Sequence, residues 1–177
     1  DEINRTSPRT QSALLEGMEE RQVTVDGQSH ALPRPFFVIA TQNPIEQQGT
    51  YDLPEAQLDR FMLRVAIGYP SVDREQEILE AQREVNPIQS LDSVATTDDV
   101  VEIQSLVRRV FVKPSLRRYI AELSLASREH TDVQVGVSVR GSQLLMRAAQ
   151  AMALINHRPY IIPVSYTHLR AHETKAN

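Results

Sequence analysis

Asp1-Glu2-Ile3-Asn4-Arg5 and Phe36-Phe37-Val38-Ile39-Ala40-Thr41-Gln42-Asn43-Pro44 are the two stretches on which the reading of this chain turns. The second is apolar from Phe36 to Ala40, as expected of a strand buried on both faces in a helix-covered parallel sheet. It ends in a carboxamide, Asn43, at the strand tip where α/β sheets place their ligands. The first supplies two adjacent carboxylates. One carboxylate can hold Mg²⁺ through water, its neighbour can accept a proton from an attacking water, and a neutral amide can orient that water beside a γ-phosphate. These are the residue types of a site for a metal-bound nucleotide.

Outward from this pair, Ser7-Pro8 predicts a helix start, with Ser7 as N-cap, Pro8 at the first helical position and Leu14, Leu15 and Met18 as the apolar stripe. Gly17 weakens that helix by roughly 1 kcal/mol relative to Ala, so packing must hold it. Gln22 to Leu32 alternates about Asp26-Gly27 and predicts a β-hairpin, ended by Pro33 and Pro35. After a polar loop containing Gly49, a short helix is expected around Pro54 to Leu58 and a strand from Phe61 to Ile67. Gly68-Tyr69-Pro70 closes this α/β portion.

Beyond Ser71 the pattern becomes helical. Thr97 is placed to cap a helix with Asp98 and Asp99 in its first turn, and Ile103, Leu106, Val107 and Val110 form its stripe. Leu116, Tyr119, Ile120 and Leu123 repeat the spacing, as do Leu144, Leu145, Ala148, Met152 and Ile155. Asn86-Pro87 and Lys113-Pro114 are breaks, so three or four helices make a second lobe.

The 177 residues, 41% of them hydrophobic, suffice to bury a core. The absence of cysteine excludes a disulfide scaffold and a thiolate metal site. No apolar run approaches the ~20 residues of a membrane span. A formal charge of -4 disfavours a general nucleic-acid-binding surface. A cytoplasmic protein is expected.

Read together, Asp1 to Arg5, Gln11-Ser12-Ala13-Leu14-Leu15-Glu16, Ala40-Thr41-Gln42-Asn43-Pro44 and Leu53-Pro54-Glu55-Ala56-Gln57-Leu58-Asp59-Arg60-Phe61 resemble, in order and spacing, the MoxR family of AAA+ ATPases over residues 1–163. The resemblance implies an α/β fold class: the C-terminal part of an AAA+ P-loop NTPase core in residues 1–70, then an all-α lid domain in 71–163. It implies ATP binding and hydrolysis with Mg²⁺, and a chaperone-like remodelling role. It also implies a homo-oligomeric ring, usually hexameric, and a partner carrying a von Willebrand factor A domain.

On the matching positions, Asp1 and Glu2 become the Walker B pair, Asp1 on the Mg²⁺ side and Glu2 as the base. Asn43 becomes sensor 1. Arg60 resembles the arginine finger that reaches into a neighbouring subunit's site. Arg140, in Gly136-Val137-Ser138-Val139-Arg140, resembles the sensor-2 arginine, although the family usually has proline where Val139 stands. The hairpin corresponds to the pre-sensor-1 insertion, which often faces the ring pore. Each has a plainer alternative: an exposed acidic terminus, an Asn-Pro turn, an Arg60–Asp59 ion pair worth about 0 to 1 kcal/mol, a solvated Arg140, an edge hairpin.

The phosphate loop Gly-x4-Gly-Lys-Ser/Thr is not in the chain; Gly136 and Gly141 have its glycine spacing, but Ser142 stands at the lysine position. The family carries that loop upstream of Walker B, so the chain is expected to be a truncated product, inactive alone. Residues 164–177 resemble a translated adapter tail, and His168 and His172 within it lack the further ligands zinc needs. Two other functions compete: a non-catalytic protein-interaction module built on the helical lobe, and a metal-dependent hydrolase, for which a third ligand is missing.

Overall fold

The computed structural model describes residues 1–42, 51–83 and 86–163. A 3₁₀ turn, Ile3–Arg5, leads into helix α1, Pro8–Glu20. Ser7 caps α1 by accepting from the Thr10 N–H, Pro8 occupies the first turn, and the helix stops at Arg21 in the left-handed conformation (φ 54°). Strands β1 (Gln22–Val25) and β2 (Gln28–Ala31) pair antiparallel, with Gln22 opposite Ala31 and Val25 opposite Gln28. Asp26 and Gly27 both have positive φ, 51° and 78°, as a two-residue type I′ turn demands. The hairpin folds back on α1. Thr24 Oγ1 donates to Glu16 Oε1 (2.7 Å), and Gly17 faces Leu32 and Phe36 closely enough that an added Cβ would meet Leu32 Cδ1 at 3.5 Å.

Among the described residues, neither the strand expected at 36–41 in a parallel sheet nor the strand expected at 61–67 is formed. Among the described residues the sheet is the β1–β2 hairpin alone. The physical reason is that a strand exists only through ladder partners. The backbone contact that the described residues bring to the first run is a single hydrogen bond, from the Ile3 N–H to the Thr41 carbonyl (2.9 Å). The run is covered on one face only, since Phe37 and Ile39 are 78% and 80% exposed while Phe36, Val38 and Ala40 are half-buried. Val65 and Ile67 in the second run are likewise exposed, at 76% and 97%.

Helix α2, Glu55–Leu58, follows the anticipated short helix. From Val72 onward the described structure is helical: α3 (Val72–Ala81), a 3₁₀ turn at Pro87–Ser90, α4 (Thr97–Arg109), α5 (Pro114–Glu129) and α6 (Val139–Ile155). The N-cap of α4 is Thr96 rather than Thr97. Thr96 and Asp99 form a reciprocal capping box, which a cap at Thr97 would forgo. The core is Val110, Ile120, Leu145, Ala149, Ala153 and Ile161, with Val112, Leu116, Met146 and Leu154 against it. Thus α6 buries its 145, 149, 153 face more deeply than the Leu144, Met152, Ile155 side of the expected stripe. The small Ala149 and Ala153 are fully buried and let α4 and α5 approach α6. Gln150 satisfies the Val110 carbonyl (2.8 Å) where α4 ends, and Phe111 bridges to Tyr160 beyond α6. Among the described residues, no helix is long and apolar enough to cross a membrane.

Candidate functional site

The acidic pair lies against the end of the apolar run. Thr41 Oγ1 donates to Asp1 Oδ1 (2.5 Å) and accepts from the Glu2 N–H (2.9 Å), while the Ile3 N–H reaches the Thr41 carbonyl. Glu2 adopts the left-handed conformation (φ 48°, ψ 58°), uncommon for a residue with a Cβ, and its carboxylate meets Arg5 Nη1 at 3.0 Å. Buried Gln11 fixes the segment from below. Its Nε2 lies within reach of the carbonyls of Ile3 (3.2 Å), Thr6 (3.3 Å) and Tyr51 (3.3 Å), and the Tyr51 N–H donates to the Asn4 carbonyl (2.6 Å). Asn43 lies outside the described residues, two positions beyond Thr41.

A second group assembles at the other end of α1. Glu19, in its last turn, accepts from Arg60 Nη1 on Oε2 and from Arg140 Nη2 on Oε1. Asp59 does not pair with Arg60; it accepts from Ser138 Oγ (2.7 Å), while Ser138 caps α6 by accepting from the Gly141 N–H (2.9 Å). The loop ahead of α6 is seated on the end of α5: Arg128 Nε donates to the Val137 carbonyl (2.7 Å), and the Val137 N–H donates to Ser127 Oγ (3.0 Å). These contacts aim Arg140 at the α1–α2 side of the molecule. Eight residues separate Gln11 from Glu19, about 12 Å along a helix axis, so the acidic and cationic groups are two clusters joined by α1.

The donor set at Asp1 suits a cation carried in by phosphates better than a resident metal. The Thr41 contact engages Asp1 Oδ1, Asp1 is exposed, and among the described residues no three acidic or imidazole groups converge on one point. Mg²⁺ accepts that arrangement, taking one carboxylate and drawing its other ligands from water and phosphates. Thr41, Gln11, Glu19 and Asp59 organise both clusters, and the sequence patterns did not single out their roles. An acidic residue near a helix C-terminus, Glu19, was the available signal, because the dipole disfavours it there.

Comparison with known proteins decides the family. The model of the ATPase family associated with various cellular activities (AAA) matches residues 1–63, and the AAA lid domain matches residues 125–165. The chain is 40% identical to the chaperone MoxR1 of Mycobacterium tuberculosis over 172 residues, covering 92% of this chain and 45% of that one. It is 30% identical to the protein MoxR of Paracoccus denitrificans over 190 residues, 92% of this chain and 53% of that one. The chain belongs to the MoxR family of AAA+ ATPases. It is 54% identical to the Bacillus subtilis protein YeaC, uncharacterised by its own name, over 163 residues, 92% of this chain and 51% of that one. It also superposes on the crystal structure of a candidate ATPase from Cytophaga hutchinsonii with a TM-score of 0.89 at 38% identity, covering 98% of this chain and 55% of that one. The MoxR-family chain therefore spans about half the length of the relatives it matches. Its fold is the C-terminal part of an AAA+ P-loop core followed by a helical lid.

Proposed function

We propose that the whole protein of which this MoxR-family chain is a part binds and hydrolyses ATP with Mg²⁺ and uses the cycle to remodel a protein partner, as the name of its relative MoxR1, a chaperone, suggests. The observation that carries this reading is the contact of Asp1, Glu2 and Ile3 with Thr41, which sets two carboxylates beside the run that leads to Asn43. In this reading Asp1 faces the Mg²⁺, which would neutralise charge on the phosphates. Glu2 takes the proton of the attacking water, Asn43 orients that water, and Arg60 and Arg140 meet phosphate oxygens. The seating of the acidic and cationic clusters at opposite ends of α1 fits an Arg60 that serves a nucleotide held by a neighbouring subunit in a hexameric ring. The β1–β2 hairpin belongs at the pore, the helical lid runs over 71–163, and a von Willebrand factor A domain protein is the assembly partner in the cytoplasm. The 177-residue chain alone is inactive, because it holds no loop of amides and lysine for the phosphates.

The test is ATP binding and turnover by the gene product extended upstream. Glu2→Gln keeps ATP binding and loses on the order of 10² to 10⁴ in kcat, the span of a missing general base. Arg60→Ala binds ATP in its own subunit and loses about 10³ or more. Turnover at the wild-type rate in both variants refutes the roles.

A further inference from the structure

We propose that Glu19 is a positioning residue: its one carboxylate yokes Arg60 to Arg140 so that the two guanidiniums approach a phosphate chain as a single cationic unit across the junction of core and lid. The inference rests on the reading of both arginines as phosphate-facing. Its own ground is the pairing of Oε2 with Arg60 Nη1 and of Oε1 with Arg140 Nη2.

The placement is costly for each partner taken alone. Glu19 lies in the last turn of α1, where the helix dipole disfavours an anion, and Arg140 lies in the first turn of α6, where it disfavours a cation. Brought together, the two charges relieve each other, and Glu19 also separates two guanidiniums that would otherwise repel. One carboxylate between two guanidiniums leaves a net single positive charge. All three side chains stay partly exposed, so an anion can reach them. Each arginine presents five N–H donors and spends one on Glu19, while the Arg60 Nε is buried with no hydrogen-bond partner among the described residues. The neighbouring Asp59–Ser138 hydrogen bond at 2.7 Å ties the same two elements and holds the N-terminus of α6 in place. Glutamine at position 19 would keep the shape but lose the charge, with one oxygen to offer where two are used.

Two measurements decide the matter. In the extended gene product, Glu19→Gln is expected to lower kcat on the order of 10- to 100-fold, the effect of a misplaced catalytic group, while KM for ATP moves less than about 3-fold. In an Arg60→Ala background the same change costs less than it does alone, because Glu19 then holds Arg140 only and has no pair of guanidiniums to keep together. A wild-type kcat in Glu19→Gln, or a full further loss on top of Arg60→Ala, overturns the proposal. In the 177-residue chain, urea midpoints of Glu19→Gln, Arg60→Ala, Arg140→Ala and their pairs should be non-additive; additive shifts overturn the yoke whatever the turnover shows. If the wild-type extended protein binds ATP but never hydrolyses it, the proposed function fails; non-additive midpoints then leave a lid latch only, and the positioning role is overturned with it.

Discussion

Gln11 shows at the scale of one residue how the acidic segment is held. Its amide carries two N–H hydrogens for three carbonyls, those of Ile3, Thr6 and Tyr51, and the side chain is only 2% exposed. Gln11→Ala removes these hydrogen bonds; the Ile3 carbonyl still accepts from the Thr6 N–H and Oγ1 and the other two carbonyls are only part-buried, so the cost is about 0.5 to 1.5 kcal/mol. A fall of that size in the urea unfolding free energy of the chain is the expected result; an unchanged midpoint would mean water replaces the amide without loss. The candidate charges themselves, Asp1, Glu2, Arg60 and Arg140, were legible as residue types in a recognisable order. Their partners were not. Whether Arg60 meets Asp59 beside it or Glu19 on another helix depends on how α1 and α2 pack, which no local spacing encodes.

At the scale of elements, α1 and α6 were legible because their signals are local: Ser7-Pro8 and Ser138 at the caps, and apolar residues at helical spacing. The hairpin followed from Asp26-Gly27 for the same reason. The strands at 36–41 and 61–67 failed because a ladder needs partners remote in sequence. Two glycines separate propensity from packing. Gly17 has room for a methyl group, since the nearest atom would sit 3.5 Å from the added Cβ, so Gly17→Ala should stabilise the chain by about 0.5 to 1 kcal/mol in urea unfolding. Gly136 has none: a Cβ there would lie 2.6 Å from Arg128 Cα. Gly136→Ala must push the loop off α5, costing about 1 to 3 kcal/mol and misaiming Arg140. The α4 cap responds to pH. Hydrogen bonds from the Thr96 hydroxyl and the Thr96 N–H hold the Asp99 carboxyl below its usual range. A carboxyl whose pKa is depressed by folding stabilises the native state above its unfolded value, about 3.9, and that gain is lost as the pH falls through the lower folded value. The difference in urea midpoint between wild type and Asp99→Ala should therefore be full at pH 6 and shrink below about pH 4.

At the scale of the whole molecule, the described chain leaves apolar surface where an AAA+ core has sheet. Phe37, Ile39, Val65 and Ile67 project from two runs whose composition is that of buried strands, yet they are solvated here. An exposed side chain loses almost nothing on substitution, whereas the same side chain within a covered sheet loses its burial energy, about 1.5 to 3 kcal/mol for a residue of this size. Ile39→Thr and Ile67→Thr should thus leave the urea midpoint of the 177-residue chain within error while lowering its tendency to self-associate in light scattering. In an upstream-extended gene product with the P-loop core proposed for it, neighbouring strands cover these runs and each substitution should cost on the order of 1.5 to 3 kcal/mol. Equal effects in the two contexts would mean that these runs stay outside the sheet in the longer protein as well. The acidic pair would then lack the rigid strand tip on which its proposed chemistry relies.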